Sequence, residues 1–265
     1  MARHAMFKVL AIMGSPRKKG NTYRITKMVE ESLKQYGDVE VEYLFLKDAN
    51  LQTCLGCRAC MDRGEELCPL KDDRASIEQK ILAADGIIVA CPTYVGNVTG
   101  LTKDFIDRFA YVCHRPSFFK NAMMITTSGG GGGNFMLLCL SIALGTWGME
   151  IASKLSVVTH EQPTYNTPAE KEVHDRAVAK KVDFAANKFY RSLQTGFRPN
   201  LMSMARFQLT RQAHLKDIPG SPDYQYWKSK GWYEKGTYYF YDTHAGPIKK
   251  GMALAGSRLL GLLAR

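Results

Sequence analysis

The sequence has no run of about 18 uncharged apolar residues, so it offers no expected membrane-spanning helix. Its first residues, MARHAMFKVLAIMGS, carry charge but no long apolar core leading to a small-residue cleavage site. No secretory signal is therefore expected, and the expected compartment is the cytoplasm. There, clustered cysteines more often bind metal or do redox chemistry than form structural disulfides. Internal repeats are absent, and low complexity is confined to the glycines at 129 to 133. The chain has neither the G-x-G-x-x-G of a dinucleotide fold nor the G-x-x-x-x-G-K-[ST] of a P-loop. His114, His160, His174, His214 and His244 show no metal-ligand spacing, so they are assigned no catalytic or metal role.

What is present reads as a folded α/β protein. The chain has 265 residues, 45% hydrophobic and 23% charged, which is enough for one large domain plus an extension. The formal net charge is +11, and residues 197 to 265 hold eleven Lys/Arg against four Asp/Glu. These charges are scattered rather than gathered in a run. That fits a solvated surface better than a nucleic-acid face, and no nucleic-acid partner is expected.

Apolar runs alternate with amphipathic stretches. FKVLAIM (7–13), VEVEYLFL (39–46), GIIVAC (86–91), NAMMITT (121–127) and KLSVVT (154–159) read as strands. Residues 21–36, 73–84, 99–110, 135–147 and 168–193 read as helices; Thr167, Pro168 and Glu170 form a capping box with proline at the first helical position. Five strands alternating with five helices imply a parallel sheet covered on both faces. Residues 1–194 form this domain. Residues 195–265, dense in aromatics (YQYWKSKGWYEKGTYYFYD), form a C-terminal extension that packs on the core or on a neighbouring subunit.

In open parallel sheets ligands bind at the carboxyl ends of the strands, so the loops there carry the functional reading. After the first strand comes GSPRKKGNT (14–22), a turn feeding a helix N-terminus, where amide groups and the helix dipole favour an anion. Ser15, Asn21 and Thr22 add donors, and Arg17 adds charge. After the third strand, CPTYVGNVTG (91–100) offers the Tyr94 ring and the polar edges of Thr93 and Asn97, suited to a flat heterocycle. After the fourth, TTSGGGGGN (126–134) lets the backbone approach a ligand closely.

Four of the seven cysteines stand between the second and third strands: Cys54, Cys57, Cys60 and Cys68, as C-x2-C-x2-C-x7-C. Thiolates in such a run can ligate an iron–sulfur cluster. Zinc, a disulfide redox pair and metal-free loop cysteines are alternatives. Cys57 to Arg63 also spells the C-x5-R of a phosphatase loop, but it follows no strand directly and Gly64 stands where Ser or Thr is normal. Cys91, Cys113 and Cys139 lie in apolar surroundings and read as small core residues.

Together, GSPRKKGNT, PTYVGNVTG and SGGGGGN resemble the three FMN-binding loops of flavodoxin-like NAD(P)H-dependent FMN reductases, and within them the iron–sulfur flavoprotein branch. The resemblance spans about residues 7 to 193. It implies a flavodoxin-like five-stranded parallel sheet with helices on both faces. It implies that Ser15, Arg17, Asn21 and Thr22 hold the FMN phosphate. Pro92, Thr93, Tyr94, Gly96 and Asn97, with Ser128, Gly129, Gly130 and Gly131, would border the ribityl chain and ring. The four cysteines would hold a [4Fe–4S] cluster, and Asp72-Asp73 matches the Asp pair that often follows in that branch. The implied function is electron transfer between a reduced donor, NAD(P)H or ferredoxin, and a small acceptor, in a homodimer or homotetramer. No side-chain acid or base is invoked. The alternatives are a cluster-free FMN, quinone or nitro reductase, a flavin-based carrier with no substrate of its own, and a basic binding module for nucleic acid or anionic membrane.

Overall fold

The computed structural model describes residues 6–159 and 167–263. His160, considered above, lies outside them. The elements run in the order β1 (Phe7–Met13), α1 (Asn21–Tyr36), β2 (Val39–Phe45), α2 (Ala59–Asp62), α3 (Arg74–Ala83), β3 (Gly86–Pro92), α4 (Gly100–Arg108), β4 (Asn121–Ser128), α5 (Gly133–Thr146), β5 (Glu150–Val158), α6 (Pro168–Thr195), α7 (Leu201–His214), α8 (Pro222–Ser229) and α9 (Pro247–Leu263). One-turn 3-10 helices add Glu65–Leu67 and Ala110–Cys113. The five strands form one parallel sheet in the order β2-β1-β3-β4-β5. This is the flavodoxin-like arrangement, with its switch in strand order between β1 and β3.

Strand alternation sends successive side chains to opposite faces, and both faces are buried. Leu10, Ile12, Ile87, Val89, Ala122 and Met124 pack against α3, α4 and α5 through Ile77, Ile81, Phe105, Met136 and Leu140. Val9, Ala11, Met13, Ile88, Ala90, Met123 and Ile125 pack against α1 and α6 through Ile25, Val29, Leu33, Val182 and Phe189. The capping box at Thr167 and Glu170 is formed, with Pro168 opening α6.

Cys139, read as a core residue, is exposed on α5 beside Leu138, and β5 and the extension also depart from the sequence reading. β5 begins at Glu150, four residues before the expected Lys154. Its opening residue is charged, and a bulge opposite Ala122 and Met123 breaks the alternation, so apolar periodicity misses it. Glu150 is buried there because Ser203 Oγ donates to it at 2.6 Å and the Asn200 side-chain amide donates as well. The extension, read from its sequence only as an aromatic-rich appendage, is helical. Helices α7, α8 and α9 surround a small aromatic core of Met204, Phe207, Trp227, Trp232 and Tyr239. That core meets the sheet domain at Phe119, whose ring packs on Phe197, Trp232 and Phe240.

On the α1 face, the Glu30 carboxylate is nearly buried and accepts from Lys27 (2.6 Å), Lys34 (2.6 Å) and Tyr43 (2.7 Å). Burial alone would raise its pKa. The three hydrogen bonds outweigh that and lower it from 4.5 to about 2. A carboxylate depressed on folding stabilises the protein above its unfolded pKa, and that contribution is lost as pH falls. Urea midpoints measured across acid pH should therefore fall between about 4.5 and 2 in wild type. Glu30→Gln should lower stability at neutral pH by ~2 kcal/mol and flatten that fall. Parallel curves for the two proteins would contradict the assignment.

Candidate functional site

The loops after β1, β3 and β4 meet at the carboxyl edge of the sheet. The β1 loop is folded on itself. Ser15 is buried, and its hydroxyl accepts from the Arg17 amide (3.1 Å) and lies 3.1 Å from the Arg17 carbonyl. Asn21 and Thr22 open α1. That helix has Gly20 at its N-cap, no side-chain cap and no acidic residue in its first turn. Among the described residues no side chain caps its first amides, and no carboxylate in its first turn offsets the positive end of the helix dipole. Basic residues flank it: Arg17, Lys18 and Lys19 precede the helix, with Lys18 paired to Asp48.

Hydroxyls knit the three loops together. Thr22 Oγ1 lies 2.7 Å from Thr127 Oγ1, and Thr93 Oγ1 lies 2.7 Å from Thr126 Oγ1. Thr126 and Thr127 are neighbours on β4 and so point to opposite faces of the sheet, one toward each flanking loop. Asn21 Nδ2 donates to Thr159 Oγ1 at 3.1 Å, and the Thr159 amide donates to the Ser128 carbonyl. Pro92 ends β3. Tyr94 and Asn97 then exchange backbone hydrogen bonds across Val95 and Gly96, both at positive φ, which leaves the Tyr94 ring half-exposed. Gly129, Gly130 and Gly131 are exposed, and a Cβ on any of them would meet nothing. All thirteen expected flavin-loop residues are therefore on this one edge.

Sequence reasoning missed residues that join those loops: Thr126, Thr127, Thr159 and Gly132. Hydroxyl pairs between distant strands leave no local pattern. Gly132 caps α5 at φ +83, and a Cβ there would approach Gly96 Cα at 3.2 Å. Gly132→Ala should lower stability by about 1–2 kcal/mol, from left-handed backbone strain and from pushing the β3 loop outward. Thermal unfolding measures it; an unchanged midpoint would mean that the two loops do not touch.

The cysteines lie elsewhere. Cys54, Cys57, Cys60 and Cys68 line one small recess, walled by Leu55, Pro69, Leu70 and Tyr111 and flanked by Arg58, Arg74 and Arg108. Cys54 and Cys57 are exposed; Cys60 and Cys68 are half-buried. Burial, then the neighbouring Cys68 and Cys54, push the Cys60 thiol above its ordinary value, so a bound cation would relieve its ionisation. Among the described residues no three His, Cys, Asp or Glu side chains are gathered tightly enough to hold one ion. Four thiols on one recess are nonetheless the donor set that an iron–sulfur cluster takes.

The ends of this loop are pinched shut. The Asn50 and Gln52 amides donate to Asp73 and Asp72. Arg108 grips Asp72 with both guanidinium nitrogens, at 2.9 and 2.8 Å, in a pair only 2% and 1% exposed. Asp72-Asp73 therefore closes the loop. Arg108 ends α4, whereas the β3 loop opens it. Nine residues of helix, about 13 Å of rise, thus separate the end of α4 that lines the cysteine recess from the end that follows the β3 loop.

Comparison with known proteins agrees with this architecture. The family described as NADPH-dependent FMN reductase matches residues 7–164. Over 101 residues the chain is 44% identical to an iron–sulfur flavoprotein of Archaeoglobus fulgidus, an alignment covering 38% of this chain and 48% of that one. It is 41% identical over 103 residues to an iron–sulfur flavoprotein of Methanocaldococcus jannaschii, covering 38% and 51%. The match thus spans about half the length of these curated relatives. Among solved structures, RosB with bound 8-demethyl-8-formylriboflavin-5'-phosphate superposes with a TM-score of 0.57 at 14% identity, covering 80% of this chain and 88% of that one. An FMN-dependent NADH-azoreductase of Bacillus anthracis in complex with FMN gives 0.52 at 16%, covering 70% and 100%. At such identities the structural likeness speaks for the fold alone. With more than half of the chain matched, the protein belongs to the NADPH-dependent FMN reductase family.

Proposed function

We propose that the chain is a flavin oxidoreductase that carries FMN at the carboxyl edge of its sheet and an iron–sulfur cluster on Cys54, Cys57, Cys60 and Cys68. It moves electrons between a reduced donor, NAD(P)H or ferredoxin, and a small acceptor. The observation that carries this reading is the uncapped N-terminus of α1, joined through Thr22 and Thr127 to the glycine loop. The amides of Asn21 and Thr22, with Ser15 and Arg17, suit a phosphate monoester. Pro92, Thr93, Tyr94, Gly96 and Asn97 would border a flat ring on one side and Ser128, Gly129, Gly130 and Gly131 on the other, and the bare glycines leave room for it. FMN, when bound, supplies the exchange of one or two electrons. The protein's part is to bind and orient it: Thr93 and Thr126 fix the β3 loop, and Gly132 keeps that loop close. No proton-transferring side chain is required.

The cluster reading rests on four thiols lining one recess and on the likeness to iron–sulfur flavoproteins. A second reading, a cluster-free reductase, draws on the exposure of Cys54 and Cys57. Anaerobic purification with iron and sulfide assays separates the two. About four irons per chain and a broad visible shoulder over the flavin bands support the first; full FMN with fewer than about two irons supports the second.

Homo-oligomer formation is supported by an exposed apolar stripe on α5, Phe135, Leu138 and Ile142, which starts at the glycine loop. Light scattering that finds only monomer at micromolar concentration would remove it. No helix among the described residues is long and apolar enough to cross a membrane.

The phosphate assignment makes a sharper prediction. Asn21→Asp places a carboxylate where the phosphate is expected and should weaken FMN binding about tenfold or more by like-charge repulsion. Riboflavin, which lacks the phosphate, should bind the variant and wild type alike. Flavin fluorescence quenching reads both. Equal FMN and riboflavin affinities in wild type would sink the assignment.

A further inference from the structure

The cysteine recess is held from its far side by a residue outside the motif. We propose that Arg115 is a positioning residue that fastens the middle of the cysteine loop to the C-terminal extension through Asp223, so that the extension sets where Cys60 stands. The consequence for a cluster rests on the reading above that the four thiols hold one. The extension lies beyond residue 164, where the family match ends, so this coupling is not part of that match.

Arg115 follows the 3-10 turn Ala110–Cys113 and is only 6% exposed. Its Nη2 donates to the Cys60 carbonyl at 2.5 Å and to Glu65 Oε2 at 3.0 Å. Its Nη1 donates to Asp223 Oδ1. The reason the Cys60 carbonyl needs this donor is local. α2 is a single turn, and the Arg63 and Gly64 amides both go to the Ala59 carbonyl. The Cys60 carbonyl is thus left at a helix end without its i+4 amide, and the guanidinium supplies the replacement.

Asp223 is the second residue of α8. There the helix dipole favours its charge, and His114 Nδ1 lies 2.9 Å from its other oxygen. The same stretch anchors α8 twice more: Trp227 Nε1 donates to the His114 carbonyl (2.7 Å), and Tyr226 Oη donates to the Pro116 carbonyl (2.6 Å). Residues 114 to 116 therefore form a hub, with the extension pinned on one side and the cysteine loop on the other. Between loop and α8 runs an open groove lined by Asp62, Glu65, Pro222, Tyr226 and Arg115. A buried guanidinium needs its partners, so removing the charge of Asp223 weakens the hold on Cys60 without touching the loop itself. A lysine at 115 keeps the charge but has one nitrogen where Arg115 uses two, Nη1 on Asp223 and Nη2 on the Cys60 carbonyl and Glu65.

The test uses the full chain, apo and after anaerobic loading with iron and sulfide. Asp223→Asn, Arg115→Lys and the control Tyr226→Phe are compared with wild type. Tyr226→Phe cuts one α8 tie without touching the loop. Two rates are measured: iodoacetamide alkylation of Cys60 in the apo protein, by peptide mass spectrometry, and iron release to a chelator from the loaded protein. Asp223→Asn and Arg115→Lys should each raise both rates about tenfold, and Tyr226→Phe should leave both at wild-type values. Unchanged alkylation in the first two variants overturns the proposal. So does equal acceleration in Tyr226→Phe, which would mean general loosening of α8. Faster alkylation with wild-type iron release overturns the positioning role for the cluster. If wild type takes up no iron, the cluster reading fails by itself and the alkylation rates still decide whether Arg115 holds the loop. Should Asp223→Asn fail to fold, Arg115→Lys carries the same comparison.

Discussion

A parallel sheet buried on both faces sends every strand-to-helix connection to one edge, and the candidate flavin site follows from that constraint. Because β1, β3 and β4 are adjacent in the order β2-β1-β3-β4-β5, the loops after them lie side by side. Each is short, and those after β1 and β4 lead directly into the N-termini of α1 and α5. The site therefore needs few specialised residues: helix amides directed at an anion, glycines that leave space, and hydroxyls that hold neighbouring loops in register. The threonine pairs Thr22–Thr127 and Thr93–Thr126 supply that register with two consecutive residues of one strand.

The cysteine loop obeys a different logic. It is a long connection that rests on the core through Leu51 and Met61, with Ala59 buried, and polar groups reaching in from outside fix its ends and its middle. Asp72 and Asp73 draw its ends together, Arg108 locks Asp72 in a buried two-point grip, and Arg115 takes hold of its middle. Such buried pairs add modest net stability but specify one arrangement, because leaving either partner alone is costly. Four sulfurs are brought to one recess by this scaffold, at the end of α4 away from the β3 loop.

Much of this was legible in the sequence, for identifiable reasons. The sheet strands read clearly because those buried on both faces are continuous apolar runs, as in Gly86–Pro92. The Thr167 capping box marked the start of α6 to the residue. The three candidate flavin loops were readable because glycine, proline and hydroxyl residues cluster where strands stop. β5 was read short because Glu150 opens it, a charge whose burial depends on Asn200 and Ser203, fifty residues onward. Arg108 and Arg115 were invisible for the same reason. Each acts on residues 36 to 108 positions away, and an arginine looks the same in sequence whether it meets water or a buried carboxylate. The helices of the extension were not read because its aromatics face one another, not a sheet.

The central claim is that the edge formed by the three loops is where FMN binds. A crystal structure of the protein with FMN tests it most directly. The account predicts the phosphate against the amides of Asn21 and Thr22, with the ring between Thr93–Asn97 and Ser128–Gly132. The pocket of about 340 Å³ between α1 and α6 shares Asn21 and Thr159 with this edge; a phosphate held inside it by Arg24 and Lys171, away from the amides of Asn21 and Thr22, would contradict the account.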